Sequence, residues 1–251
     1  MNREATGLAG VRHIIFETLG STNAEALALA RAGERGPLWI TATEQSAGRG
    51  RRGSQWVSPP GNLHATLLLI EPSQPAQAPQ LSFVAALALH DAVVVCAPQL
   101  GPLLNVKWPN DLLVEKAKVA GILIEGESAP VFAVAIGIGV NCAAHPEGTI
   151  YPATDLAAMG ALVGPDTLFA ALSAAMRQRI AQWDQGRGFA AIRTDWLARA
   201  AGRGEPMQVR LPGRELAGRF EGLDENGHLL LRQDSGTTTI SAGEVFGFGE
   251  P

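Results

Sequence analysis

Ten consecutive residues, VFAVAIGIGV at 131–140, carry no polar side chain. A short, wholly apolar run of this kind reads as a strand covered on both faces. It commits the chain to an interior sheet with other elements packed over it. The flanking sequence offers those elements. Segments 11–17, 38–43, 63–70, 105–108, 112–115 and 119–125 are short and apolar, and read as further strands. Thr22 followed by Glu25 is a capping-box pattern and Gly33 supplies a stop, so a helix of about ten residues fits between them. Residues 81–96 read as a helix buried around much of its circumference. Residues 155 to 201 turn helical again, with DTLFAALSAAMRQRIAQWDQ as the best example. Beyond the breaker AGRGEP the chain changes to short β segments (MQVRL, RELAGRFEGL, HLLLRQ, TTTISA, EVFGF) separated by turn residues such as DENG at 224–227. The expectation is a mixed α/β domain over 1–203 and a small β-domain, barrel or sandwich, over 204–251.

Two of the predicted strands are joined by AGRGRRGSQW at 47–56, where arginines alternate with glycines in a chain of net charge −4. A solvated turn accounts for glycine and arginine equally well. The loop is longer than a hairpin needs, however, and alternate glycines let backbone N–H groups converge on an anion. Arginine adds forked donors for phosphate or carboxylate oxygens. No Lys-Ser/Thr follows the last glycine, so this is not a Walker A loop. The acidic balance gives no global field for nucleic acid or an anionic membrane.

KWPND at 107–111 sets an amide, Asn110, and a carboxylate, Asp111, beside a large aromatic, with Pro109 restricting the turn. Read alone, it is also an ordinary hairpin corner. Lys118 enters an apolar strand, where most lysines snorkel at an edge. Asn141 ends GIGVN with a donor and an acceptor suited to a purine edge, or to a turn. Cys96 and Cys142 form no CxxC pair, and the five histidines show no metal-ligand spacing. No signal-peptide core and no uninterrupted apolar run of about eighteen residues is present, so a cytoplasmic protein without a membrane segment is expected.

Taken together and in this order, ETLGSTN (17–23), EQSAGRGRRG (44–53), KWPND (107–111), KVAGIL (118–123) and GIGVN (137–141) closely resemble the biotin protein ligases. LDENGHLLLRQ (223–233) resembles their small SH3-like C-terminal domain. The resemblance implies an α+β, class II synthetase-like catalytic domain of the biotin–lipoate ligase type. It implies a biotin–[biotin carboxyl-carrier protein] ligase that makes biotinyl-5′-AMP from biotin and ATP with Mg²⁺. The biotinyl group then passes to a lysine of a biotin carboxyl carrier protein or domain.

By the same match, Lys118 bridges the biotin carboxylate and the α-phosphate, Arg49 and Arg51 close over carboxylate and phosphates, and Arg52 contributes less. Asp111 either orients Lys118 or helps to hold metal. Asn110 and Asn141 fall on the nucleotide side. Ser21, Thr22 and Gln45 surround the bicyclic head, Gly48 and Gly121 permit close backbone approach, and Trp56 covers the valeryl chain. Either Ser21 or Thr22 caps the helix and leaves the other for ligand. His64 stands where the family often has tyrosine, and Ser54 and Gln55 where some relatives are basic. The arginines have no acidic neighbours in sequence, which predicts a loop that is mobile until ligand binds. About ten residues precede the first matched strand, so no winged-helix DNA-binding domain is expected; homodimerisation is left open. A lipoate or octanoate ligase or transferase of the same fold is the nearest alternative.

Overall fold

The computed structural model describes residues 3–6, 11–149 and 151–246. In chain order the elements are β1 (Arg3–Thr6), β2 (Arg12–Leu19), α1 (Thr22–Arg31), β3 (Leu38–Gln45), β4 (Leu63–Ile70) and α2 (Leu81–Cys96). Four strands follow, β5 (Leu104–Lys107), β6 (Asp111–Val114), β7 (Ala117–Glu127) and β8 (Ala133–Val140), then α3 (Pro165–Trp183) and α4 (Phe189–Leu197). The C-terminal strands are β9 (Pro206–Leu211), β10 (Arg214–Leu223), β11 (Leu229–Gln233), β12 (Gly236–Ile240) and β13 (Glu244–Phe246). Eight strands form one sheet in the order β1-β2-β3-β4-β8-β7-β6-β5, and five form a second, β12-β11-β10-β9-β13. β2 and β3 run parallel, and every other pairing is antiparallel. The last part of the expected EVFGF strand lies outside the described residues.

The apolar run behaves as its composition requires. Side chains of a strand alternate between faces. Val134, Ile136, Ile138 and Val140 enter the large core shared with α2, α3 and α4. Ala133 and Ala135, on the other face, meet Ala26, Leu27 and Ala30 of α1. The same face continues into Gly137 and Gly139. Asn23, at the start of α1, crosses Gly137 so closely that a Cβ there would lie 2.4 Å from its Oδ1. Past that point no helix covers the sheet, and a cavity opens.

Ser21, not Thr22, caps α1: its Oγ accepts from the Ala24 N–H at 3.4 Å. The stop is Gly33, at φ +98. Helix does not extend back to residue 155. Asp155 Oδ1 accepts from the Ala158 N–H at 2.6 Å and holds a turn, and α3 begins at Pro165, where a missing N–H costs nothing. Pro75–Cys96 is long and apolar enough to cross a membrane by length and composition, with 67% of its most apolar window buried. Ser82, His90 and Asp91 interrupt it, and Leu81 to Leu89 are spent on the core.

The second sheet shares that core through Met207, Val209, Phe220, Leu229 and Leu231. Its β10–β11 turn docks on the first sheet's layer. Trp108 Nε1 donates to the Gly227 carbonyl at 3.1 Å, and a Cβ on Gly227 (φ +87) would lie 2.7 Å from Phe83. This docking accompanies a placement of Gly243 and Glu244, before and within β13, at the rim of the cavity.

Candidate active site

The cavity holds about 580 Å³, within the range of small-molecule sites. Its floor is set by strand register. Ala42, His64, Gly139, Gly121 and Asp111 stand opposite one another across β3, β4, β8, β7 and β6. Residues paired in this way share a face, so His64 and Asp111 flank two glycines whose missing side chains leave room. A Cβ on Gly139 would lie 2.4 Å from Trp56 Nε1, and one on Gly121 would lie 3.2 Å from the same indole. Trp56 thus covers the glycine floor.

Lys118 reaches this face only because β7 is irregular. Simple alternation from Gly121 would turn Lys118 into the core. The β6–β7 register slips between Leu112 and Leu113, so Val119 and Ala120 both enter the core and Lys118 returns to the cavity side. Residues 152–154 pin its backbone: the Lys118 N–H donates to the Pro152 carbonyl at 2.8 Å, and the Lys118 carbonyl accepts from Thr154 at 2.9 Å.

Lys118 Nζ stands 2.7 Å from Asp111 Oδ1, an ionic contact off hydrogen-bond alignment. Lys107 Nζ stands 3.8 Å from Asp111 Oδ2 and 4.8 Å from the centre of the Tyr151 ring. Lys107 is 8% exposed. Its burial lowers its pKa, Asp111 opposes the fall, and Lys118 adds to it. Two ammonium groups therefore share one carboxylate on one wall.

The arginine loop forms the facing wall. It folds on itself through Gly50 N–H to the Ser54 carbonyl (2.7 Å) and Trp56 N–H to the Gly48 carbonyl (3.0 Å). Gly48 is required by proximity, since a Cβ would lie 2.5 Å from the Trp56 carbonyl oxygen. Arg49 pairs with Glu125 at 3.1 Å. Arg51 donates to Asn110 Oδ1 (3.3 Å) and to the Gly243 carbonyl (3.2 Å), tying the loop to both sheets. Arg52 is exposed, at φ 55. The absence of acidic neighbours in sequence thus does not hold in space: Glu125 lies 76 positions from Arg49. Arg49 and Arg51 are each held by residues far away in sequence.

At the other end lies a polar pocket. The Thr22 N–H and hydroxyl both donate to Gln45 Oε1, at 2.8 and 3.0 Å, and Gln45 Nε2 donates to Ser58 Oγ at 2.9 Å. Asn110 Nδ2 donates to the Ile122 carbonyl at 2.7 Å, so its amide also serves the wall itself. Asn141 is buried, and its Nδ2 donates to the Thr154 carbonyl at 3.0 Å. Every candidate residue except Gly48 lines the cavity. No group of three or more His, Cys, Asp or Glu side chains suited to a metal occurs among the described residues.

Several lining or supporting residues escaped the sequence reading. Lys107 was visible in KWPND as part of a motif, without a role. Glu244 and Tyr151 gave no local signal. Asn62 lies behind the floor, where its Oδ1 accepts from the N–H groups of Cys142, Ala143 and Ala144 at 2.9, 3.0 and 3.2 Å. It shapes the turn that follows Asn141.

The chain is similar to known proteins along most of its length. Residues 18–141 match the Biotin/lipoate A/B protein ligase family, and 204–246 match the Biotin protein ligase C terminal domain. The chain is 48% identical to a biotin–[acetyl-CoA-carboxylase] ligase of Paracoccus denitrificans over 90% of its own length and 96% of the relative's. In fold it is similar to the Aquifex aeolicus biotin protein ligase in complex with biotin and ATP (TM-score 0.79, 24% identity, 93% and 97% of the two chains). It is also similar to the Leishmania major biotin protein ligase in complex with biotinyl-5-AMP (TM-score 0.65, 26% identity, 91% and 98%). With near half its residues shared along the whole of such a relative, the chain belongs to the biotin protein ligase family.

Proposed function

We propose that this cavity joins biotin to AMP and then delivers the biotinyl group to a lysine of a biotin carboxyl carrier domain. The observation that carries the reading is that four cations, Lys107, Lys118, Arg49 and Arg51, line one cavity, with both lysines on Asp111. A carboxylate oxygen must attack the α-phosphorus of ATP while pyrophosphate leaves, and the two anions repel. Fixed cations on both sides lower that repulsion and hold the reactants in line. In the second step the neutral amine of the acceptor lysine attacks the acyl carbon, AMP departs with the bonding pair, and the amine's proton is lost.

Lys118 bridges the two reacting anions, and Asp111 orients it. A carboxylate already placed between two ammonium groups fits that orienting role, and a metal-ligand role poorly. Mg²⁺ would enter with ATP, screening the phosphates while keeping several of its waters and needing few protein carboxylates. Arg51 and Asn110 act as one unit, with Arg52 at the outer edge. Asn141 lies on the nucleotide side with its loop. Ser21 serves α1 as its cap, leaving Thr22, Gln45 and the backbone at Gly48 for the ureido head. Gly243 and Glu244, at the start of β13, line the site, which supports a catalytic unit over 1–203 completed by the β-domain over 204–251.

The test is pyrophosphate release that requires both biotin and ATP, run beside lipoate and octanoate. Biotin is expected to be the substrate used at low concentration. Equal use of lipoate or octanoate would move the chain to the other branch of the fold. Arg51→Gly is expected to release biotinyl-AMP into solution faster than the intact loop does.

A further inference from the structure

Glu125 follows Gly121 and Leu123 along one side of β7, and it stands behind the cavity wall: Leu123 and Arg49 line the cavity, and Glu125 does not. Its carboxylate is held from within the protein, where Asn23 Nδ2 donates to Oε2 at 2.8 Å. Asn23 is buried and fixed in turn. Its Oδ1 accepts from Thr66 Oγ1 at 2.7 Å, and its Nδ2 also reaches the Leu123 carbonyl at 3.3 Å. A carboxylate held by such a chain is in place before any partner arrives. Arg49 Nη2 stands 3.1 Å from Oε1 and 3.3 Å from Oε2 of that carboxylate. Among the described residues the protein engages only Nη2 of this guanidinium, which leaves Nε and Nη1 for the oxygens of a ligand. The Arg49 side chain is half exposed, so its direction depends on what holds it from outside the cavity.

We infer that Glu125 is a positioning residue of the ligase, aiming the Arg49 guanidinium into the cavity and keeping it there once the acid has been activated. This role rests on the ligase reading above. Activation turns the biotin carboxylate into one acyl oxygen and one oxygen bridging to phosphorus, so the full negative charge at that end disappears. Arg49 then loses an anionic partner, and Glu125 is the partner that stays. The arginine loop thereby keeps one fixed attachment through both steps and holds the adenylate while the acceptor amine approaches. A half-exposed ion pair is ordinarily weak, because two long side chains must be ordered to make it. Here Asn23 has already ordered one of the two. Glu125 touches neither reactant, so its effect passes through Arg49 alone.

Glu125→Gln removes the charge while its amide oxygen can still accept from Asn23, so the fold is expected to survive, which circular dichroism checks. Two quantities are read: pyrophosphate release that requires biotin and ATP, and the escape of biotinyl-AMP, formed on the enzyme, into solution. Glu125→Gln is expected to raise KM for biotin and to speed that escape, each about fivefold, with kcat and the KM for ATP within about twofold. In an Arg49→Ala background the same substitution should change neither quantity further, whereas a merely structural role would add to the first loss. Wild type supplies a reading that needs no variant. Without ligand, trypsin cleavage after Arg49, measured against a reference peptide, should quicken as added salt screens the pair. A folded Glu125→Gln with unchanged KM and escape, an undiminished effect in the Arg49→Ala background, or cleavage indifferent to salt overturns the inference and leaves the ligase reading standing. Wild type that makes no biotinyl-AMP from biotin and ATP overturns both.

Discussion

Lys118 Nζ sits 2.7 Å from Asp111 Oδ1, and the contact exists because a register slip in β7 brings Lys118 back to the side that Asp111 faces. The carboxylate holds the ammonium in place, and an ammonium has three donors, so others remain for substrate. Asp111→Asn keeps the shape and removes the charge. It is expected to lower kcat/KM for biotin activation about a hundredfold, the scale of an ångström's misplacement of a catalytic group. Pyrophosphate release in the variant checks this.

Lys107 carries a stability cost for its place in the site. Its pKa is depressed in the folded chain, chiefly by burial. Between that depressed value and the ordinary 10.5, the unfolded chain binds more protons, so stability rises with pH across this window. Lys107→Met is expected to raise the melting temperature at neutral pH and to flatten that alkaline rise, because Asp111 retains Lys118. Biotin activation should fall at least about tenfold. Thermal melts from pH 7 to pH 10 beside activity assays decide it.

Two glycines of β8, Gly137 and Gly139, should respond differently to one added methyl. On Gly139 it meets the Trp56 indole, which can swing away; on Gly137 it meets Asn23. Asn23 is tied to Thr66 Oγ1 at 2.7 Å and to Glu125 at 2.8 Å, and cannot yield. Gly137→Ala is expected to cost about 1–3 kcal/mol of stability as overpacking. Gly139→Ala should cost less stability and mainly raise KM for biotin. Denaturant melts and kinetics on the pair test the contrast.

Asn62 is a single side chain holding one turn by four hydrogen bonds, three accepted by Oδ1 and one donated by Nδ2 to the Ala144 carbonyl at 2.8 Å. Asn62→Ala strands several of these groups, at about 1–3 kcal/mol for each buried one left unpaired. The variant is expected to be strongly destabilised and to raise KM for ATP more than KM for biotin. Asn62→Asp, which keeps the triple acceptor, should recover part of both.

Much of this was legible in the chain because several features are local. The apolar run 131–140 announced a covered strand; in Ala133–Val140 one face lies in the core, and α1 covers the other only as far as Gly137, where the cavity begins. The family resemblance carried by the motifs implied the site residues, of which all but Gly48 line the cavity. What sequence could not show was phase and distance. Without the resemblance, Lys118 reads as an edge lysine, because nothing local marks the slip that turns it inward. Arg49 read as unpartnered because Glu125 arrives from another strand. The cap stayed open between Ser21 and Thr22, whose spacing to Glu25 also fits, until backbone geometry gave the position to Ser21. Lys107 and His64 were in view, yet the burial of each is a tertiary fact.

The measurement that bears most directly on the central claim is biotin-dependent pyrophosphate release by Lys118→Ala. If fixed cations drive the carboxylate onto the α-phosphorus, the variant keeps the wild-type fold by circular dichroism and loses about 10²–10³-fold in rate. A folded Lys118→Ala chain that releases pyrophosphate at the wild-type rate would contradict the account.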